Sequence, residues 1–554
     1  MLTDISMLHR AFAADGFRIV LRTHTSTGRM GVAAEHRSAI NYETGQRKRA
    51  YYVEGNPYER GYLLGLLAEP SVADMAVNFV DNIVFDFIGL EFLNHFPPLQ
   101  KLLVALIGEL SEAAWASQPP HVREEARGLL EGCRRANPKT PVTDERIGVM
   151  NVGFDVLCAL IYTGDLLRKR APQLEPEHIR LALMCNAFSV FGKEAGGGHL
   201  FGRDFTFATG GALQNNLTHV ICLPDSAGEA AYPHVSVTAP GIIGSVSAMN
   251  LSGVAAGLDM SPAGNCDTEH TGFNSLLLLR ECIMRGKTAA QAARVITGAR
   301  RGVSWNYVLS DGGTDTACTV EAGASQPTVD FLGYPAPALL PYLPSAGYLA
   351  AHQPAPLENG AMVRWCGGSF PEEYFEFNKG LWQNYQRTRD PNIRLYPDAM
   401  LPDGFINRTP EEKNCPSSFY FAPQRTQGHV HVTTNHFLLP HMRLCAMDPW
   451  CARVTHSKVN DIQWRYDELN HQLREVLQQK GRIDYATAKR LIDFLAPYGR
   501  FPKYHEKSPF SADEKTQRIE GCVSLFDLKA RTVESHYGYY ADDWVKTTLP
   551  AYFT

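Results

Sequence analysis

The chain has 554 residues, with 53 Lys and Arg against 58 Asp and Glu, a net charge of −5, and 44% hydrophobic and 20% charged residues. That composition excludes a disordered or fibrous protein, and the length exceeds what one ordinary core holds, so two or more domains are expected. The acidic balance and the absence of any long Lys/Arg block exclude a phosphate-tracking surface, so no nucleic-acid partner is expected.

Residues 1 to about 50 read as polar and irregular. The N-terminus, Met1-Leu2-Thr3-Asp4-Ile5-Ser6, lacks the basic and apolar regions of a secretory signal. Gly55-Asn56-Pro57-Tyr58-Glu59-Arg60-Gly61 reads as a turn into a helix, with Pro57 at an early helical position. Ala73 to Ala136 is mostly helical in pattern and is stopped by Asn137-Pro138, and a further helix is expected around Ile147 to Leu167. The most apolar stretch, Met75 to Gly108, is broken by Asp81, Asp86, Glu91, Pro97, Pro98 and Lys101, so no transmembrane segment is predicted.

After Cys185 the texture becomes strand-like. Strands are predicted over Thr218–Leu223, Val235–Thr238, Ile242–Met249 and Val254–Leu258. Helices follow over Gly272–Arg285 and Thr288–Arg300, the second opening on a Thr288/Gln291 capping box. Further strands are expected over Trp305–Ser310 and Ala317–Glu321. Gly323 to Gln424 is rich in Pro and Gly and resists assignment. Gly428 to Thr434 alternates as a strand, Val459 to Gln479 is an amphipathic helix ended by Gly481, and Asp484 is placed to cap the next helix. Cys522–Leu528 and Thr532–Tyr537 read as a terminal hairpin. A helical front of about 180 residues followed by strands, helices and strands again suggests two packed sheets with helices outside.

The twelve cysteines contain no C-x-x-C pair and are scattered as in a reduced, cytoplasmic protein. One of them stands out. Cys185 opens an apolar run, a glycine-rich turn follows at Gly196-Gly197-Gly198, and a second run carries Arg203 and Asp204. Two strands joined by that turn bring Arg203 and Asp204 back beside Cys185. A thiol near an arginine and a carboxylate is either a tuned nucleophile or a buried core cysteine. His429 and His431 share a strand face, but two histidines without a third ligand give no metal site. No G-x-S-x-G, Walker A or G-x-G-x-x-G signature is present, and no cofactor is expected.

Met184 to Met260 resembles the C45-type cysteine Ntn-hydrolases, the family of acyl-CoA:6-aminopenicillanate acyltransferase, and more distantly the choloylglycine hydrolases and penicillin V acylases. The motifs that carry the resemblance are Gly55-Asn56-Pro57-Tyr58-Glu59-Arg60-Gly61-Tyr62-Leu63-Leu64-Gly65, Cys185-Asn186-Ala187-Phe188, Phe201-Gly202-Arg203-Asp204-Phe205, Ala248 to Asp259, and Thr434-Asn435-His436-Phe437. It implies an α+β fold, a four-layer αββα sandwich, with residues 1–184 a mainly helical propeptide or α-subunit-like segment and 185–554 the catalytic domain. It also implies autocatalytic cleavage of the Met184–Cys185 bond, after which Cys185 is the nucleophile and its freed α-amine the base.

By the same resemblance Arg203 sits beside the thiol, Asn435 donates to the oxyanion, the backbone N–H at Asp259 completes the oxyanion hole, and Arg465 is a structural arginine near the site. Read from the residues alone, Asn435 is equally a strand-end turn residue and Arg465 a solvated helix residue. One position departs from the family: relatives carry an acid that holds the nucleophile's amine where this chain has Thr206. Asp204, two residues earlier and on the same strand face, or Thr206 itself, is assigned that role. The expected substrate is a small acyl amide or acyl thioester, with water or an amine as acceptor, and a homo-oligomer is left open. The rival readings are an unprocessed pseudoenzyme or binding protein with the same fold, and a peptidase with a Cys185–histidine dyad, His436 being the histidine to test.

Overall fold

A computed structural model describes residues 4–80, 97–172, 185–206, 211–225, 231–264, 266–325, 358–368, 428–439, 442, 462–495, 518–539 and 542–553. In chain order the helices are α1 (Ile5–Ala14), α2 (Pro57–Asp74), α3 (Pro97–Ala116), α4 (Pro120–Ala136), α5 (Asp144–Thr163), α6 (Asp165–Arg170), α7 (Ala212–Asn216), α8 (Ser275–Arg285), α9 (Ala289–Gly298), α10 (Ile462–Lys480) and α11 (Tyr485–Leu495). The strands are β1 (Phe17–His24), β2 (Met30–Ile40), β3 (Arg47–Gly55), β4 (Asn186–Phe191), β5 (His199–Thr206), β6 (Thr218–Pro224), β7 (His234–Thr238), β8 (Ser247–Asn250), β9 (Val254–Met260), β10 (Trp305–Asp311), β11 (Thr316–Ala322), β12 (Ala361–Trp365), β13 (Val430–Thr433), β14 (Arg518–Asp527), β15 (Thr532–Tyr539) and β16 (Val545–Thr548).

They form two sheets. Sheet A has ten strands in the order β1-β2-β3-β6-β7-β8-β9-β10-β11-β12, and sheet B has six in the order β13-β4-β5-β14-β15-β16. The sheets pack face to face through β4 and β5 on β9 and through β13 on β11. Helices α8 and α9 cover the outer face of sheet A, and α10 and α11 that of sheet B. The result is an α+β sandwich of four layers, αββα, as expected. Alternation along β4 separates its two faces. Cys185 and Ala187 join the large core that fills the space between the sheets, whereas Phe188 and Val190 pack with Tyr466, Leu469 and Ile492 under α10 and α11.

The reading of residues 1–50 is corrected: they form α1, β1, β2 and part of β3. β1 lies at the sheet edge, so its alternation is charged on the open side (Arg18, Arg22), which gave it a polar texture. β3 pairs in parallel with β6, Ala50 opposite His219 through Gly55 opposite Pro224, so sheet A runs across the chain position of Cys185. The strand expected over Ile242–Met249 begins only at Ser247; Thr238 Oγ1 donates to the carbonyls of Ile242 and Gly244 and closes a loop there.

Most of the other capping signals hold. Asn56 and Glu59 form a reciprocal capping box on α2 with Pro57 at its first turn. Thr288 caps α9, and Gln291 reaches back to the backbone of Lys287, one residue earlier than a capping box requires. Asp484 Oδ1 accepts from Thr487 N at 2.8 Å and starts α11. Helices α2 and α4 cross so closely that a Cβ at Gly61 or Gly128 would strike the backbone of the facing helix. α5 is the one described helix long and apolar enough to cross a membrane, and it is a core helix, 94% buried across its most apolar window.

Candidate active site

Cys185 lies at the mouth of β4, fully buried. The hairpin with β5 forms as expected, Asn186 opposite Asp204 and Ala187 opposite Arg203. On the other side β13 pairs Thr433 with Ala187, which brings Asn435, two residues on, to the same end. Met184 lies outside the described residues. The Cys185 thiol contacts the carbonyl of Thr206 at 3.8 Å.

Arg203 points between the sheets. It crosses β9 at Gly257, where a Cβ would lie 2.5 Å from Arg203 Cδ. From there Nη2 donates to Leu258 O, while Nη1 donates to the carbonyls of Asp204 and of Asn186, the latter at 3.2 Å. Nη1 also lies 2.5 Å from Asp259 Oδ1, both side chains being fully buried. The Asp259 carboxylate is therefore turned to Arg203. Apart from that ion pair, neither of its oxygens has a hydrogen-bond partner among the described residues. Burial raises its pKa to about 6 against the pull of Arg203 and Arg465.

Asp204 points to the opposite face of sheet B. Thr206 Oγ1 donates to its Oδ1 at 2.9 Å and Asn186 Nδ2 to its Oδ2 at 3.0 Å, so Asp204 and Thr206 share a face and form one unit. Burial lifts Asp204 to about 7; Arg203, Thr206, Asn186 and Arg465 hold it from rising further.

Arg465, on α10, is 2% exposed. Nη1 donates to Cys185 O at 2.8 Å and to Asn186 Oδ1 at 2.7 Å, and Nη2 donates to Asn435 Oδ1 at 2.8 Å. Asn435 Nδ2 in turn donates to Met260 O at 2.9 Å. Arg465 is thus buried and engaged rather than solvated, and Asn435 does lie in the turn that ends β13, with its side chain held by Arg465 and the carbonyl of Met260. The turn carrying Asn435 is pinned from sheet A by Asn306 Nδ2, which donates to the carbonyls of Thr434 and His436 at 2.9 and 2.8 Å.

The residues alone left Cys185 as either a tuned nucleophile or a buried core cysteine. Arg203 does favour the thiolate, but burial outweighs it and, with Asp259 and Asp204, raises the Cys185 thiol above the usual thiol range. Arg203 spends its charge on Asp259. Two further contributors went unremarked. Asn186 joins Asp204 to Arg465, and its signal was a polar side chain in the apolar run directly after Cys185. Gly257 makes room for Arg203; its signal, a glycine inside a strand, is a general mark of close approach. His429 and His431 do not converge. His431 Nε2 bonds Thr319 Oγ1 at 2.8 Å in the core, whereas half-exposed His429 stacks on Phe191 and pairs with Glu194. His436 Nδ1 is engaged by Thr434 Oγ1 at 2.9 Å.

No family model matches the chain. A relative described as an uncharacterized protein of Archaeoglobus fulgidus (strain ATCC 49558 / DSM 4304 / JCM 9628 / NBRC 100126 / VC-16) is 25% identical over 509 residues, 92% of this chain but 66% of that longer protein. Among solved structures, the chain is similar to a mutant conjugated bile acid hydrolase from Clostridium perfringens, with 10% identity over 66% of this chain and 93% of that one and a TM-score of 0.32. It is also similar to penicillin V acylase from Agrobacterium tumefaciens, with 12% identity over 64% and 83% of the two chains and a TM-score of 0.29. Those superpositions are loose, and the reading of the site rests on its own contacts. What the contacts give is a buried thiol at a strand end, with its own carbonyl, Asn186 and Asn435 joined through one guanidinium, in a four-layer α+β sandwich.

Proposed function

We propose that the chain is a self-processing cysteine amidohydrolase or acyltransferase of the N-terminal-nucleophile kind, acting on linear acyl amides or thioesters. The observation that carries this reading is the single guanidinium of Arg465 bonded at once to Cys185 O and to Asn435 Oδ1. A core cysteine needs no such framing.

In maturation the Cys185 sulfur adds to the Met184 carbonyl carbon, the thiol proton passes to the departing Cys185 nitrogen, and water hydrolyses the resulting thioester. The products are residues 1–184, ending in a carboxylate, and residues 185–554, beginning with a free amine. That amine has an ordinary pKa of about 7.7–8.0, suited to general-base work near neutrality. In turnover it takes the thiol proton as sulfur attacks the substrate carbonyl, and it returns the proton to the leaving amine or thiolate. Asn435 is the oxyanion donor, oriented by Arg465; loss of one such donor typically costs roughly a hundred- to a thousandfold in rate. The Asp204–Thr206–Asn186 unit, beside the strand end, orients the amine. Arg203 and Asp259 serve as a buried, nearly neutral support that fixes β5 to β9. Water or an amine then accepts the acyl group.

Residues 1–184 are the propeptide or α-subunit, and they stay attached through β3 and its neighbours. The test is product analysis on processed protein with a panel of acyl amides and acyl-CoAs, beside Cys185→Ala. Free acid or a transferred acyl group from the native enzyme alone supports the reading; equal turnover by Cys185→Ala overturns it.

A further inference from the structure

On the face of sheet A turned away from Cys185, α2, α4 and α8 enclose a small cavity against β3, β6 and β7. Its wall includes Arg60, Glu125 and Arg280, with Leu64, Cys222 and Ser236 around them. The three charged residues are buried, at 3%, 6% and 4% exposure. Arg280 grips Glu125 with both nitrogens, Nη1 to Oε1 at 2.6 Å and Nη2 to Oε2 at 2.9 Å. Arg60 Nη2 donates to the same Oε2 at 2.8 Å, and its Nη1 donates to Gly55 O at 2.9 Å. Burial alone would raise the Glu125 carboxyl, but Arg280 and Arg60 hold it down at about 2, so it is ionised.

Two guanidinium charges therefore share one carboxylate, and the cluster keeps one unmatched positive charge. The neighbouring Glu281 acts on Arg280 only at a distance, because its carboxylate is bonded elsewhere. Its Oε2 is 3.1 Å from His121 Nε2 and its Oε1 is paired with Arg285. Arg60 Nε is also buried with no hydrogen-bond partner among the described residues. A charge excess and an unmet donor inside the protein both carry an energetic cost, which an anion in the adjoining space would offset.

We propose that this cavity binds a small monoanion, chloride or a short carboxylate such as acetate, between Arg60, Arg280 and the sheet. Arg60 and Glu125 precede Cys185 in the chain, whereas Arg280 follows it. A bound anion therefore fastens the helices of the first segment to α8 of the second, whether or not the bond before Cys185 is cut.

The experiment is thermal unfolding of the full-length chain in sodium chloride, sodium acetate and sodium gluconate at matched ionic strength and pH, gluconate being too large for the cavity. Chloride or acetate should raise the midpoint saturably above gluconate, by about 2–5 °C. Chloride alone active identifies an inorganic anion site, and acetate more active than chloride a carboxylate site. Leu64→Trp, which fills the cavity from its half-buried rim and leaves the charges intact, should abolish the increment. Arg60→Met, which leaves Arg280 and Glu125 balanced, should abolish it too. Equal midpoints in all three salts, or an increment that survives in either variant, overturns the proposal.

Discussion

Arg203 passes over β9 at Gly257, close enough that a methyl group there would occupy the space of its side chain. The pair joins sheet B to sheet A beside Cys185, because the guanidinium beyond the crossing holds Leu258 O and Asp259. Gly257→Ala should therefore destabilise the fold by about 1–3 kcal/mol through overpacking and slow the chemistry at Cys185 by moving Arg203. Denaturant unfolding beside a processing time course checks this; a variant with native stability and native processing shows that the crossing does not position the site.

Asp204 is lifted by burial to about 7. If its carboxylate form orients or relays protons at the strand end, processing should rise with pH through about 7 and level off above it. Thr206 donates to that carboxylate, so Thr206→Val removes a bond that favours the charged form and should move the midpoint upward, while Asp204→Asn should flatten the profile. Processing rates between pH 5 and 9 for the three proteins measure this. A native midpoint unmoved in Asp204→Asn assigns the titration to another group.

His219 is fully buried, with Nδ1 on Thr547 Oγ1 and Nε2 on Ser535 Oγ, both at 2.8 Å, and burial lowers its pKa to about 3. A histidine depressed in the folded state is protonated first in the unfolded chain. Its neutral bonding is fully retained above the ordinary pKa near 6.5, and stability declines as pH falls from there toward 3. His219→Gln should remove one proton's worth of that slope, up to about 1.4 kcal/mol per pH unit. Urea unfolding at several pH values, native against variant, gives the difference; identical slopes would mean that His219 is not buried neutral.

The segments before and after Cys185 share sheet A, where β3 pairs with β6, and Lys48 Nζ donates to Tyr537 O and Asp543 O, each at 2.9 Å. Cleavage at Met184 should therefore leave a complex that co-elutes on size exclusion and separates only in denaturant. Free residues 1–184 under native conditions would contradict this.

Much of the fold was legible because alternation and capping are local. The β4–β5 hairpin follows from two apolar runs around a glycine turn, and α9 and α11 from Thr288 and Asp484. The edge strand β1 was missed because half of an edge strand faces water and looks like loop, and β2, paired between β1 and β3, was missed with it because its second half carries Glu35, His36, Arg37 and Ser38. In the site, Cys185, Arg203 and Asp204 were readable as one hairpin, whereas Asn435 and Arg465 came only through family resemblance. They are distant in sequence, and nothing local says that α10 carries an arginine to Cys185 O. What lifts the Cys185 thiol is burial, and the depth of a strand end between two sheets is a tertiary property that no local pattern carries; Asp259, which pairs with Arg203, likewise lies on the other sheet.

The central claim is that Cys185 cuts the bond before itself. Intact mass of freshly purified native protein and of Cys185→Ala tests it most directly. The account predicts two masses for the native protein, residues 1–184 and residues 185–554, and one full-length mass for the variant. A native chain that stays whole on prolonged incubation, or a Cys185→Ala chain cut at the same bond, would contradict it.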